Sequence, residues 1–171
     1  VVIGTKLTEF KNRNFRVGES KYLIVEACEY KRSFLNLKPN ILIITNIEAE
    51  HLDYFKNLAD YKKAFHQLAK KVPRNGIIII NSNDKHSKSI VKDVKAKVIA
   101  WKEVSSVPLN LPGEFNRKNA TFAEVTGRLL GIESSKVKKA LQSYKGSWRR
   151  MQYKRKKLGR LCFIDDYAHH P

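Results

Sequence analysis

The chain has 171 residues and a mass of 19.8 kDa, the size of a single domain on the usual scale of roughly 100–200 residues. Hydrophobic residues make up 42% and charged residues 29%, which supports a packed core and excludes a disordered chain. No apolar run approaches the roughly 18–20 residues of a membrane helix, and Val1-Val2-Ile3-Gly4-Thr5-Lys6 lacks the order of a secretory leader, so a cytoplasmic address without a membrane partner is expected. Cys28 and Cys162 are too few for a disulfide scaffold or a zinc cluster and are expected as buried, reduced thiols. The 34 Lys and Arg against 16 Asp and Glu give a net charge of +18. Residues 117–160 hold most of the excess, with only Glu124 and Glu133 as acids. By charge alone this is a solvated basic face, a polyphosphate-binding surface or a nucleic-acid surface.

In chain order, residues 1–4 read as an abrupt first strand, and 22–25 as a buried strand. Further buried strands are expected at 41–45, 77–80, 98–101 and 161–164. Leu58, Tyr61, Phe65, Leu68 and Ala69 recur at helical spacing before Pro73, and 89–94 reads as a shorter helix. Residues 102–112 read as a join between two lobes. Beyond Leu111-Pro112-Gly113, a helix is expected over 116–130, ended by Gly131. Another starts at Ser134 or Ser135 as N-cap, carries Val137, Ala140, Leu141 and Tyr144 on its buried face, and stops at Gly146. Strands alternating with helices predict an α/β fold: a mostly parallel sheet with helices on both faces, and ligands at the strand ends.

Several polar groups sit at those ends. Glu26 and Glu29 follow the run at 22–25, and Thr45-Asn46 leads to Glu50, His51 and Asp53. Carboxylates and an imidazole suit a divalent cation, although isolated acids and a single histidine are equally ordinary surface groups. Asn116 and Asn119 fall in the first turn of a helix, where free N–H groups and side-chain amides can face a base. Arg149 and Arg150 follow Gly146-Ser147-Trp148, and Asp165-Asp166-Tyr167-Ala168-His169-His170-Pro171 follows the last strand. Arginine forks suit phosphate oxygens, and an Asp at a strand end suits ribose hydroxyls.

In order and spacing, five stretches resemble the central ATP-binding domain of the Mur ligases: Val25-Glu26-Ala27-Cys28-Glu29-Tyr30-Lys31-Arg32-Ser33-Phe34-Leu35, Thr45-Asn46-Ile47-Glu48-Ala49-Glu50-His51-Leu52-Asp53, 111–120, 146–150 and 165–171. The resemblance covers the chain from about Tyr22 onward and implies a nucleotide-binding fold related to P-loop NTPases, with residues 1–171 as a partial central domain. It implies an ATP- and Mg²⁺-dependent ligase of peptidoglycan precursor synthesis, joining L-alanine or a peptide to UDP-N-acetylmuramate through an acyl phosphate. By motif position, Glu26 and His51 look like the metal-binding and catalytic residues. Asn116 and Asn119 look like the residues beside adenine, Arg149 or Arg150 like the phosphate-binding arginine, and Asp166 like the ribose-binding acid. Phe65 falls where sister ligases keep a carbamylated lysine, which fits the alanine-adding branch.

Cys28, Glu50 and Phe115 depart from the residues the family usually has, which are Asp, Asp and His. The chain has no G-x-x-x-x-G-K-[ST] phosphate loop. It therefore resembles an internal fragment lacking that loop and both flanking domains, and negligible turnover is expected from it alone. The alternatives are a degenerate binding or scaffolding module and, least favoured, a nucleic-acid-binding domain suggested by Tyr144, Trp148 and Tyr153 among the cations.

Overall fold

Three isoleucine-rich segments pair side by side in parallel: β3 (Ile41–Ile44), β4 (Ile77–Asn81) and β5 (Lys97–Trp101), in the order β3-β4-β5. The structure, a computed structural model, describes residues 1–158 and 161–167, and for 154–158 and 162 the backbone alone. Ile78, Ile79 and Ile80 are all buried. Successive side chains on a strand point to opposite faces, so both faces of β4 must be covered. On one face Leu42, Ile44, Ile78 and Ile80 share a core with Phe34, Phe55 and with Tyr61, Ala64 and Leu68 of helix α1 (Leu58–Ala69). On the other face Ile79 packs with Phe122 and Val125 of α3 (Glu114–Leu129), beside Ile41, Ile77, Ile99 and Trp101. The expected parallel sheet with helices on both faces is what the chain forms.

Local signals explain the helix limits. The Asn57 side chain accepts the Asp60 amide and starts α1. Asp84 caps α2 (Lys85–Ile90), which therefore begins ahead of the expected 89–94. After α3 the chain reverses at Gly131, whose φ of +72° is the left-handed conformation a helix C-terminus favours in glycine. Helix α4 (Ser134–Ser143) follows, with Glu133 at the N-cap position and no side-chain cap, so neither Ser134 nor Ser135 fills that role. Its packing is shallow: Leu141 and Tyr144 are half-buried, while Ala140 is exposed rather than in a core.

Two antiparallel hairpins lie outside this sheet. In one, β1 (Val2–Leu7) pairs with β2 (Arg13–Phe15); in the other, β6 (Gln152–Leu158) pairs with β7 (Leu161–Asp165). The strand expected at 161–164 is present, but it pairs with an unforeseen neighbour and is not buried, with Leu161 60% exposed. The run at 22–25 is no buried strand either. It makes one parallel bridge, Val2 to Val25, and Leu23 is 74% exposed. Cys28 is exposed rather than buried, and the Cys162 side chain lies outside the described residues. Among the described residues no helix is long and apolar enough to cross a membrane.

Gly76, buried at the start of β4, tests this packing. A Cβ there would lie 2.6 Å from Val72 Cγ1 and 2.7 Å from the Asn40 carbonyl oxygen, a backbone atom with little room to yield. Gly76→Ala is expected to destabilise the chain by about 1–3 kcal/mol, read as a lower thermal midpoint. An unchanged midpoint would mean that the β3–β4 junction is not packed as described.

Candidate functional site

The polar segments emerge where β3 and β4 end. After Ile44 the chain leaves the sheet through Thr45 and Asn46, then buries Ile47. Ile47 donates its backbone N–H to Asp84 Oδ2 at 3.0 Å. The same carboxylate accepts from the amides of His86 (3.0 Å) and Ser87 (3.1 Å) and from the Ser87 hydroxyl. Burial raises the Asp84 carboxyl, but the hydrogen bonds from Ser87, His86 and Ile47 outweigh it and hold the group below the ordinary carboxylate range.

Beyond that anchor lies His51, with a backbone φ of +54° in the left-handed region that few side chains favour. Its carbonyl accepts the amides of Tyr54 and Phe55, both at 2.9 Å, and Phe55 is fully buried. His51 Nε2 lies 3.2 Å from Glu29 Oε1. One ligand atom from each of Glu29, Glu50 and His51 falls within 4.8 Å of the others. The His51 ring sits 4.8 Å from that of Tyr30, whose hydroxyl donates to Asp53 at 3.1 Å; that bond raises the Tyr30 phenol. Beneath the acids, buried Tyr61 has its phenol pushed well up by burial and then by the charges of Glu29 and Glu50, so it stays protonated and able to donate to Glu29. Two carboxylates and one imidazole are a donor set that fits a hard or borderline divalent cation.

The remaining expected residues have other partners. Glu26 lies outside this three-residue group; its Oε2 accepts the Gly4 amide of β1 at 2.7 Å. Asn116 donates its side-chain amide to Pro112 O at 2.6 Å at the start of α3, and Asn119 is exposed one turn on. Arg149 Nε lies 3.3 Å from Asp165 Oδ1, and its guanidinium stacks over Trp148 and Tyr167 at 5.4 and 5.0 Å. Arg150 is exposed, with no side-chain hydrogen bond or ion pair among the described residues. Asp166 Oδ2 accepts the Met151 amide at 3.1 Å. This loop meets β1, because Trp148 donates its amide to Lys6 O at 3.1 Å. Glu26, Arg149, Arg150 and Asp166 thus attach to one region around β1, while His51 sits with Glu29 and Glu50. Residues 168–171, with His169 and His170, lie outside the described residues.

Glu29 and Glu50 are visible in the sequence as strand-end acids, but their meeting with His51 is not. Asp84 carries one local signal, the turn Asn81-Ser82-Asn83-Asp84 leading into a helix start, and the helical spacing of Tyr61 marks only a shared apolar face. Phe65 is likewise core, its ring centroid 5.1 Å from that of Phe34 and 5.0 Å from that of Tyr61.

Comparison with known proteins adds the lineage. The Mur ligase middle domain family matches residues 6–105. The UDP-N-acetylmuramate--L-alanine ligase of Caldicellulosiruptor saccharolyticus is 35% identical over 187 residues, covering 92% of this chain and 41% of that protein. The protein of the same name from Clostridium botulinum (strain Hall) is 34% identical over 199 residues, covering 100% of this chain and 43% of its own length. The chain thus spans about two fifths of the length of the curated relatives it matches. In solved structures, the UDP-N-acetylmuramate-alanine ligase MurC of Thermotoga maritima superposes with a TM-score of 0.79 at 23% identity, over 99% of this chain and 44% of that one. A murein peptide ligase from Psychrobacter arcticus gives a TM-score of 0.63 at 23% identity, over 86% and 37%. These likenesses establish the fold.

Asp84 gives the site a pH signature. Its folded carboxyl is depressed, so the stability it contributes is fully present above the unfolded value of about 3.9 and is lost as pH falls through the folded value. Urea midpoints measured from about pH 6 down to about pH 2 should fall less steeply in Asp84→Asn than in the parent chain. Parallel curves would show that Asp84 is not held as described.

Proposed function

The chain belongs to the Mur ligase family, and we propose that residues 1–171 are the nucleotide-handling middle portion of an ATP-dependent ligase that joins L-alanine, or a peptide, to UDP-N-acetylmuramate in peptidoglycan precursor synthesis. The observation that carries this is 34–35% identity to ligases of that name across essentially the whole chain. Both substrates and ATP are cytoplasmic metabolites, and the enzyme works there.

In this reading the substrate carboxylate attacks the γ-phosphorus of ATP, ADP leaves, and the amino group then displaces phosphate from the acyl carbon to form the amide. The donor chemistry of Glu29, Glu50 and His51 fits Mg²⁺, and these residues would hold it. Glu26, with one oxygen on the Gly4 amide, keeps its second for another ion. When bound, Mg²⁺ supplies positive charge to the oxygens of the transferring phosphoryl group. The chain's own groups do the rest: Arg150 meets the phosphates, Asn116 and Asn119 flank the base, and Asp166 accepts from the ribose hydroxyls. Arg149 is assigned to holding the loop, because Asp165, Trp148 and Tyr167 already occupy its guanidinium.

Phosphate release by the gene product that carries this chain, supplied with ATP, UDP-N-acetylmuramate and one amino acid or peptide at a time, tests the reading. Release dependent on L-alanine is expected, and release with none of them would overturn it. The division between the arginines is read separately, by calorimetric titration with Mg²⁺–ATP and thermal melting. Arg150→Ala should weaken nucleotide binding about tenfold, the loss expected for one charge-assisted phosphate contact, with an unchanged melting midpoint. Arg149→Ala should lower the midpoint instead; the reverse pattern would exchange their roles.

A further inference from the structure

The segment between β3 and α1 carries Glu50 and His51 without pairing to any strand. Two points fix it. At the far end buried Phe55 plugs the core, and its amide and that of Tyr54 close on the His51 carbonyl. At the near end buried Ile47 enters the same core, and its N–H is held by a side chain from the neighbouring strand's loop, Asp84, 37 residues away in sequence.

The Asp84 carboxylate cross-links two strand ends. Its Oδ2 accepts from Ile47, from the Ser87 amide and from the Ser87 hydroxyl, and its Oδ1 from His86. An ordinary N-cap needs only the bonds to its own helix; the bond to Ile47 adds nothing to α2 and serves only the loop. His51 lies four residues past that bond in a left-handed backbone, a conformation that persists where its surroundings fix it on both sides.

We infer that Asp84 is a positioning residue for the Glu29–Glu50–His51 group: it pins the near end of the loop through Ile47 and thereby holds His51 at Glu29. Losing the carboxylate leaves the Ile47 N–H without its partner, frees the near end, and lets His51 relax away from the left-handed region. Losing Ser87 removes a donor from the same carboxylate but leaves the bond to Ile47. Ser87→Ala therefore perturbs the same carboxylate while keeping both the loop pin and the backbone bonds of the helix cap, and serves as the control.

The test compares Asp84→Ala and Ser87→Ala with the parent chain. Amide hydrogen exchange by NMR is the first readout. In Asp84→Ala the Tyr54 and Phe55 amides should exchange at least about tenfold faster, while those of Ile78, Ile79 and Ile80 change no more than in Ser87→Ala. The second readout is Mn²⁺ binding followed by electron paramagnetic resonance, which rests on the metal reading above. Asp84→Ala should bind at least about tenfold more weakly, a loss in the range seen when ligand-orienting groups are removed, and Ser87→Ala within about twofold of the parent. Should Asp84→Ala not fold, Asp84→Ser carries the same comparison, since a Ser hydroxyl can still cap α2 but lies one bond short of the carboxylate oxygen that accepts from Ile47. Exchange that rises equally across the chain, or equal effects of the two substitutions, would overturn the inference. A parent chain that binds no Mn²⁺ would overturn the metal reading and leave the exchange pattern to decide this one.

Discussion

Three consecutive isoleucines in β4, each no more than 1% exposed, impose the architecture. Because neighbours on a strand face opposite ways, Ile78 and Ile80 need cover on one side and Ile79 on the other. Each such side chain is worth about 1.5–3 kcal/mol when removed from water, so a sheet left bare on either face would forfeit much of its stability. α1 covers one face and α3 the other. The parallel order then requires crossovers, and every loop leaving the carboxyl end of the sheet must carry the polar groups the interior cannot hold. The position of Asn46, Glu50, His51 and Asp84 follows from that burial.

Charge is distributed against the chain's overall sign. In a molecule of net charge +18, Glu29 and Glu50 meet at His51 to make a local anionic group, and buried Tyr61, kept as the neutral phenol, can donate to Glu29. A cation rather than a phosphate suits that point. Groups that suit phosphate are carried by the 146–151 loop, which is held against β1.

The elements that were legible in the sequence are those whose cause is local. Leu58, Tyr61, Phe65 and Leu68 share a face, Asn57 supplies a cap and Pro73 follows, so α1 could be read directly. The run at 22–25 looks equally apolar, but a strand also needs neighbours, and only Val2 pairs with it. Lys154-Arg155-Lys156-Lys157 is a charge run without apolar alternation, so its sequence announces no strand, and β6 exists through its pairing with β7. At the site, motif order pointed to His51 and Glu26, while the meeting of His51 with Glu29 depends on how the chain turns after Tyr30. Lys31 and Arg32 take φ of +50° and +58° there, which no residue preference announces. Arg32 is placed from outside the segment, paired with Asp60 Oδ1 at 2.6 Å and lying 5.3 Å over the Phe55 ring. Tertiary contacts of that kind are invisible to a local reading.

The adjacent arginines show how surroundings divide one residue type into two tasks. A guanidinium is planar, stacks on aromatic faces and pairs with carboxylates, so it can serve as a structural clip as readily as a ligand contact. Arg149 does the first, set between Trp148, Tyr167 and Asp165, while Lys6 lies 5.5 Å from the Trp148 ring centroid. Trp148 and Tyr167 are 50% and 55% exposed, yet cations of the chain itself already lie over their rings. An aromatic surface that binds single-stranded nucleic acid must offer bare faces for bases to stack on. Of the aromatics that suggested such a surface, Trp148 is taken up in closing the 146–151 loop onto β1, Tyr144 is half-buried with its hydroxyl on Ser147, and Tyr153 is 55% exposed, while Arg150 is left facing outward.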